Sequence, residues 1–227
     1  MNLSIFSWRS IKTRVTLFTL AIFLPGLWSA AFYASRILRE DMQRMLGEQQ
    51  LSVVSFMAAE VDQGLNDRLS AVEEIAARIT PAMLGKPPAL QAFVDDRVGL
   101  QRLFNVGIFA TGMDGTAIAD VPPSSGRLGM NYMDRDYIVN ALKEGKATTG
   151  RPIIGKKSRA PAFGMAVPIR DSRGKVIGAL AGATDLTKPN FLDTIAQSRY
   201  GKSGGYLLVA PRHRLIVTAT DKSRIMA

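Results

Sequence analysis

Four side chains within one stretch, Met130 to Leu186, have the chemistry of a binding site for a small charged molecule. The planar guanidinium group of Arg135 suits a carboxylate or another oxyanion, because it presents two donors side by side. Tyr132 and Tyr137 offer aromatic rings and hydroxyl groups, and Asp185 offers a carboxylate that can hold an ammonium group. Together they predict a site for a carboxylate or an amino-acid-like ligand.

Three of these residues also have a purely structural interpretation. Arg135 can form a surface ion pair with Asp134 or Asp136, which contributes little to stability. Asp185 can cap a helix that begins at the next residue. Tyr137 can belong to the core. The sequence alone leaves both interpretations open.

The residue types that catalysis needs are scarce. The chain has no cysteine and a single histidine, His213, in a predicted turn, so it offers neither a histidine cluster for a metal nor a general base for Ser203. The run Gly201-Lys202-Ser203 resembles the end of a phosphate-binding loop, but Ala196 stands where the first glycine of that motif belongs. We therefore expect no enzymatic activity, no cofactor and no metal.

The charge of the chain is unevenly distributed. Residues 1–80 contain 8 Lys or Arg and 8 Asp or Glu, whereas residues 81–227 contain 21 and 11, so the net charge of +10 comes from the second part. Such a surplus is compatible with binding of anionic lipid, of a small anion or of nucleic acid. A basic cluster within it is explained most simply as a solvated hairpin tip: Arg151, Lys156, Lys157 and Arg159.

The uncharged run from Val15 to Tyr33 predicts a transmembrane helix. At roughly 1.5 Å per residue it is about 28 Å long, close to the thickness of the hydrocarbon core. Arg9, Lys12 and Arg14 precede it, and positive charge before a membrane segment favours a cytoplasmic N-terminus. The small residues at 29–31 leave a cleaved signal peptide as the alternative.

The next segment, Ser35 to Ile79, contains no proline and predicts one long amphipathic helix, with a break near Gly47. Its apolar stripe favours either a parallel coiled-coil dimer or packing against the following domain. Pro81 and the prolines at 87 and 88 end the helix. The stripe consists of Val54, Ala58, Val61, Leu65, Leu69, Val72, Ala76 and Ile79.

Beyond the prolines, the pattern changes from helix to alternating strands. We expect helices over Ala89–Phe104 and Arg135–Glu144, and a loop over residues 122–131. Antiparallel strands joined by short turns, with helices to one side, indicate an α+β domain. In the strand over 162–169, small Gly164 and Ala166 lie on the face opposite the large residues. The predicted strands are Val106–Thr111, Thr116–Val121, Ala147–Ile154, Ala162–Ile169 and Val176–Thr184.

A second hairpin repeats the first one. After a short helix that ends near Arg199, strands over Tyr206–Ala210 and Leu215–Ala219 flank a polar turn. We expect this hairpin to open a second copy of the same domain, one that is cut off at Ala227 and leaves an exposed sheet edge.

The order of these features resembles the double-Cache extracytoplasmic sensor of bacterial receptors, over roughly residues 35–227. The matching segments are the long helix, VGIFATGMDGTAIADV, MDRDYIVNAL, Gly150-Arg151-Pro152, FGMAVPIRDSRGKVIGALAGATDL and GGYLLVAPRHRLIVTAT. The resemblance implies PAS-like antiparallel modules. With them, we expect the chain to be divided into a cytoplasmic N-terminus (1–14), a transmembrane helix (15–33), a membrane-to-sensor helix (34–80), a membrane-distal Cache module (81–187), and a linker helix with the start of a membrane-proximal module (188–227).

The resemblance also implies a function. Such regions are anchored in the inner membrane and lie outside the cytoplasm. They dimerise through the long helix and signal to a C-terminal domain for cyclic-di-GMP turnover, histidine kinase activity or chemotaxis. In amino-acid-sensing members, an arginine, an aromatic pair and an aspartate hold the ligand. Arg135 and Asp185 match this pattern, but the pair is reduced to Tyr137-Ile138, which places amino-acid specificity in question. The alternative is a cytoplasmic or membrane-surface basic domain that binds nucleic acid or anionic lipid; the charge bias at the membrane segment argues against nucleic acid.

Overall fold

The computed structural model describes residues 11–211 and 213–227, and it divides the chain into two compact units, Met1–Phe56 and Met57–Ala227. The first ten residues of the predicted cytoplasmic N-terminus, including Arg9, lie outside the described residues, as does Arg212 in the turn of the second hairpin. In the first unit every described residue is helical.

A single helix, α1 (Ile11–Ala76), covers both the predicted membrane segment and most of the predicted amphipathic helix. It contains an 18-residue window of mean hydropathy 1.8, none of it buried, so it is long and apolar enough to cross a membrane. The expected break near Gly47 is wrong, since the helix continues through this residue. A glycine costs a helix only about 1 kcal/mol, which neighbouring turns tolerate.

Within the second unit, the end of α1 packs against the core. Val61, Val72 and Ala76 are buried there, and Leu65 and Leu69 are partly buried against the same cluster. This part of the stripe therefore packs on the following domain, one of the two expected arrangements. The helix ends at Ala76, three residues before the predicted end at Ile79.

Three short helices follow: α2 (Pro81–Leu84), α3 (Pro87–Asp95) and α4 (Val98–Leu103). Thr80 caps α2, because its hydroxyl group accepts a hydrogen bond from Met83 N and proline occupies the first helical position. The prediction of one helix over Ala89–Phe104 is wrong. The chain turns at Asp96-Arg97, where two consecutive aspartates, Asp95 and Asp96, have low helix propensity.

The centre of the second unit is a six-stranded antiparallel sheet in the order β2-β1-β6-β5-β3, with β4 also paired to β5. This confirms the α+β class. The predicted strand over Ala147–Ile154 exists only as two short pieces, because Pro152 lacks the amide donor that a continuous ladder needs. The strands are β1 (Gly107–Thr111), β2 (Ala117–Val121), β3 (Thr148–Thr149), β4 (Ile153–Ile154), β5 (Pro161–Arg170) and β6 (Val176–Asp185).

The two faces of the sheet bury different clusters. Met165 and Val167 of β5 face the cluster that includes helices α1, α3 and α4. The other face packs against α5 (Asp136–Val139), which continues as a π-helix over Asn140–Glu144. Ala166 lies on this second face, as the alternation along the strand predicted.

Past β6 the chain forms α6 (Asp193–Gln197) and then two small two-stranded sheets, β7 (Arg199–Tyr200) with β8 (Gly204–Gly205), and β9 (Leu207–Ala210) with β10 (Leu215–Ala219). The sheet of β9 and β10 is the expected second hairpin. Val217 and Ala219 on β10 are buried.

Candidate ligand-binding site

A cavity of about 50 Å³ lies on the second face of the sheet, beneath the connection between β4 and β5. Strand β6 supplies Ala183, which is paired with Gly107 on one side and with Gly164 on the other. Small residues at this point of three neighbouring strands leave room above the sheet. The cavity is lined by Val106, Phe109, Arg127, Tyr132, Arg135, Tyr137, Ile153, Gly155, Lys156, Lys157, Ser158, Ala162, Phe163, Gly164 and Ala183.

Arg135 lines this cavity from the N-cap position of α5, with extended backbone. Its side chain is only 13% exposed. Nη2 donates to the carbonyl oxygen of Ile154 at 3.2 Å, and Nε lies 3.5 Å from Asp134 Oδ2, too poorly aligned for a hydrogen bond. Arg135 is therefore a largely buried cation at the cavity, and its ion pair with Asp134, the alternative expected from the sequence, joins it to a half-exposed carboxylate.

Tyr132 and Tyr137 also line the cavity and form its aromatic wall. The ring of Tyr132 lies 4.6 Å from that of Phe109. The ring of Tyr137 lies against Gly164 so closely that a Cβ atom on this glycine would be 2.5 Å from Tyr137 Cζ. Part of the small-residue face is thus filled by a packed tyrosine, so Tyr137 is both a core and a cavity residue.

Both phenol groups are neutral donors or acceptors near neutral pH. Burial raises the pKa of the Tyr137 hydroxyl group far above its ordinary value, and the positive charge of Arg135 only partly opposes this shift. Burial likewise raises the pKa of Tyr132, against the charges of Arg127 and Arg135. Each hydroxyl group therefore keeps its proton and can donate a hydrogen bond.

Asp185 is buried at the end of β6 but is not among the residues that line the cavity. Its Oδ1 accepts hydrogen bonds from the backbone N of Thr187 at 2.8 Å and from Thr187 Oγ1 at 2.6 Å. No helix begins at Leu186, so this carboxylate closes a turn and does not cap a helix. The structure thus brings three of the four predicted residues together; a ligand role for Asp185 stays a prediction.

Sequence reasoning missed Arg127, which also lines the cavity and is 4% exposed. Its Nε donates to Asp120 Oδ1 at 2.5 Å and its backbone N donates to Asp120 Oδ2 at 2.8 Å. Arg127 follows a loop of proline, serine and glycine, a context that resembles any solvated turn. Only the pairing of the loop with β2 reveals that this charge is buried.

Lys156 lies at the cavity entrance. Its Nζ donates to the carbonyl oxygen of Asn131 at 2.6 Å and to Asp134 Oδ1 at 2.8 Å, and it lies 5.2 Å from the centre of the Tyr132 ring. Partial burial works to raise the pKa of Asp134, but the hydrogen bond from Lys156 and the charges of Lys156 and Arg135 outweigh it and lower the pKa. Lys156 is thus held against the cavity, whereas Arg151, Lys157 and Arg159 are exposed, as expected of a solvated hairpin tip.

The lining is suited to binding. Among the described residues that line the cavity, four carry positive charge and none is a carboxylate, histidine or cysteine. Guanidinium and ammonium groups above an aromatic wall recognise oxyanions, whereas proton transfer needs a group that titrates near neutral pH. The arrangement can therefore hold a small anion.

Comparison with known proteins identifies related folds. The family model of the Cache domain, dCache_1, matches residues 38–226. No curated protein matches the sequence. Three solved structures are similar at identities that show the fold alone.

The ligand-binding domain of the Pseudomonas fluorescens chemoreceptor CtaA in complex with L-serine superposes with a TM-score of 0.60 at 20% identity, over 83% of this chain and 76% of that one. An extracellular ligand binding receptor from Desulfohalobium retbaense DSM5692 gives a TM-score of 0.61 at 15% identity, over 76% of this chain and only 31% of that one. The V. cholerae histidine kinase DctB sensor domain gives a TM-score of 0.54 at 15% identity, over 81% of this chain and 69% of that one.

Proposed function

Because the chain belongs to the Cache domain family, we propose that it is the extracytoplasmic sensing region of a membrane receptor that binds a small anionic or zwitterionic metabolite. Cache domains of this kind are ligand-binding sensor modules and not enzymes. The observation that carries the proposal is the cavity beneath the β4–β5 connection, where Arg135 and two tyrosines converge. The CtaA structure, which shares the fold, contains L-serine.

The proposal assigns Arg135 to a carboxylate or similar oxyanion, and Tyr132 and Tyr137 to ring contacts and hydroxyl hydrogen bonds. Asp185 is the group that would hold an ammonium group if the ligand is zwitterionic. In that case its carboxylate has to exchange at least one hydrogen bond with Thr187 for one with the ligand.

Ligand binding is expected to stabilise the protein. A compound present at about 100 times its dissociation constant contributes roughly 2.7 kcal/mol, which for a unit of this size raises Tm by about 5–11 °C. Thermal melts of the full chain in detergent, against a panel of organic acids and amino acids, measure the shift. The proposal is contradicted if no compound of either class raises Tm.

The proposed signal is a change in the long helix. Arg68 on α1 lies 3.8 Å from the centre of the Phe191 ring, and Glu60 accepts a hydrogen bond from Thr194 Oγ1 at 3.0 Å. The segment after β6 therefore contacts the helix, and a ligand at the cavity can favour one of two arrangements of this junction. Hydrogen exchange over residues 60–76 is expected to change when a ligand binds; identical exchange in both states argues against this route.

We propose that residues 1–14 are cytoplasmic, 15–33 cross the inner membrane, 34–80 lead to the sensor, 81–187 form the distal module, and 188–227 form the linker and the start of a proximal module. An alkaline phosphatase fusion at Ala227 should then be active, because that enzyme matures outside the cytoplasm. A fusion after Arg14 is the matched control and should be inactive. An inactive Ala227 fusion contradicts the orientation.

The receptor proposed here is a homodimer through the long helix, and it signals to a cytoplasmic output domain for cyclic-di-GMP turnover or histidine kinase activity. Large apolar side chains of the helix at Leu46, Leu51 and Phe56 are exposed within the chain, as a dimer contact requires. Sedimentation of the full chain in detergent distinguishes the dimer from a monomer. Identification of the segment that follows Ala227 in the receptor tests the output.

A further inference from the structure

The guanidinium group of Arg127 is buried, and most of its donors are occupied. Asp120, itself fully buried, accepts from Nε, and the carbonyl oxygens of Ile108 and Val121 accept from Nη2 at 3.3 and 3.1 Å. These contacts hold the planar group in one orientation on the second face of the sheet. Three hydrogen bonds thus fix the orientation of the Arg127 side chain.

One nitrogen of this group remains. No described protein atom accepts a hydrogen bond from Arg127 Nη1, although the atom is buried and the residue lines the cavity. Arg135 presents a second case, because its buried Nε has no hydrogen-bond partner either. A buried donor without a partner is costly, so a ligand oxygen that accepts a hydrogen bond from it would stabilise the complex.

The charges around the cavity do not balance. Four cationic side chains line it, and two carboxylates contact them, Asp120 at Arg127 and Asp134 between Arg135 and Lys156. Three of these cations thus share two carboxylates, and the fourth, Lys157, is exposed to solvent. Lys157 lies near Arg127, since a Cβ atom on the preceding residue, Gly126, would be 3.6 Å from Lys157 Nζ.

We propose that Arg127 is a second anion-binding residue of the cavity, and that the ligand is a small carboxylate that carries no ammonium group. This inference rests on the proposed ligand-binding function of the cavity. The inference goes beyond that function, because it names the class of ligand and a residue that helps to select this ligand.

An ammonium group finds little to bind in this cavity. Each of the charged residues that line it repels a cation, and Asp185, the carboxylate predicted to hold an ammonium group, lies outside the lining and accepts hydrogen bonds from Thr187. A buried cation without a paired carboxylate is strongly disfavoured. While the β4–β5 connection stays in its present position, the cavity of about 50 Å³ has room for only a few non-hydrogen atoms of a ligand.

Matched pairs of compounds test the ligand class in the wild-type chain. Acetate and glycine, propionate and L-alanine, and succinate and L-aspartate differ within each pair only by an ammonium group. We expect calorimetry on the full chain in detergent to show at least tenfold tighter binding of the acid in the best-bound pair. Equal or tighter binding of the amino acid overturns the inference but leaves the sensor proposal intact. No binding of any compound, in these pairs or in the wider panel, contradicts both.

Arg127→Lys tests the residue itself, because lysine keeps a positive charge for Asp120 but removes the planar group and Nη1. We expect a loss of about tenfold in affinity for the acid that the wild type binds best. Arg151→Lys is the matched control, an exposed basic residue outside the cavity, and should change affinity less than twofold. A melting curve with a cooperative transition establishes that Arg127→Lys is folded. Unchanged affinity in the folded variant overturns the assignment of Arg127; if the variant does not fold, the comparison of matched compounds still decides the ligand class.

Discussion

Replacement of Arg135 by alanine is expected to weaken ligand binding by roughly 10- to 150-fold. Hydrogen bonds between a guanidinium group and a carboxylate contribute about 1.5–3 kcal/mol, and each 1.4 kcal/mol corresponds to about tenfold in affinity. The largely buried position of Arg135 keeps solvent from screening the interaction. Isothermal titration calorimetry with the compound that gives the largest thermal shift measures the change.

The fold should survive this substitution. Arg135→Ala removes the bond from Nη2 to the carbonyl oxygen of Ile154, which is worth about 1 kcal/mol. Arg151→Ala removes an equally charged side chain that does not line the cavity, so it is the control and should bind ligand as the wild type does. If Arg135→Ala binds the ligand with unchanged affinity, the cavity is not the binding site.

Replacement of Asp120 by alanine is expected to destabilise the second unit by about 3–5 kcal/mol, because it leaves the guanidinium charge of Arg127 buried without a partner. Asp120 is fully buried and Arg127 is 4% exposed, so water cannot replace the carboxylate. For a unit of this size, Tm should fall by roughly 6–20 °C. Circular dichroism melts of the full chain in detergent measure the shift.

The double variant Asp120→Ala, Arg127→Met is the control for this effect. It removes both charges at once, so it should regain a large part of the stability that the single variant loses. It should not regain all of it, because the backbone N of Arg127 also loses its acceptor on Asp120. A single variant that melts within about 2 °C of the wild type would show that the ion pair contributes little.

The sheet could be predicted because its strands carry local signals. Residues 162–169 and 176–184 form two apolar runs joined by a tight turn. In the structure they are β5, which is two residues longer than predicted, and β6, which is one residue longer. The hairpin of β1 and β2 was likewise marked by the glycines of its turn, where Gly115 adopts a φ of +78°. Neighbouring strands with a short turn depend on contacts that are close in sequence.

Interruptions were harder to predict, since they depend on what the interrupted segment contacts. Helix α3 ends at Asp95, and Gln91 within it exchanges hydrogen bonds with the backbone of Asp120 on β2. The segment between β3 and β4 passes so close to Tyr137 that a Cβ atom on Gly150 would clash with Tyr137 Cδ1. Neither contact is visible in the hydrophobic pattern of the sequence, so a prediction based on this pattern makes each element too long.

Sequence by itself determined the class of the fold, the position of the apolar helix that can cross a membrane, and the candidate residues Arg135, Tyr132 and Tyr137. It could do so because hydrophobic spacing and residue chemistry are local properties of a chain. Tertiary structure alone decided that Arg127 and Lys156 join them and that Asp185 closes a turn with Thr187. Burial of a charge depends on which distant strand or loop covers it, and here the β2 strand and the β4–β5 connection supply that cover.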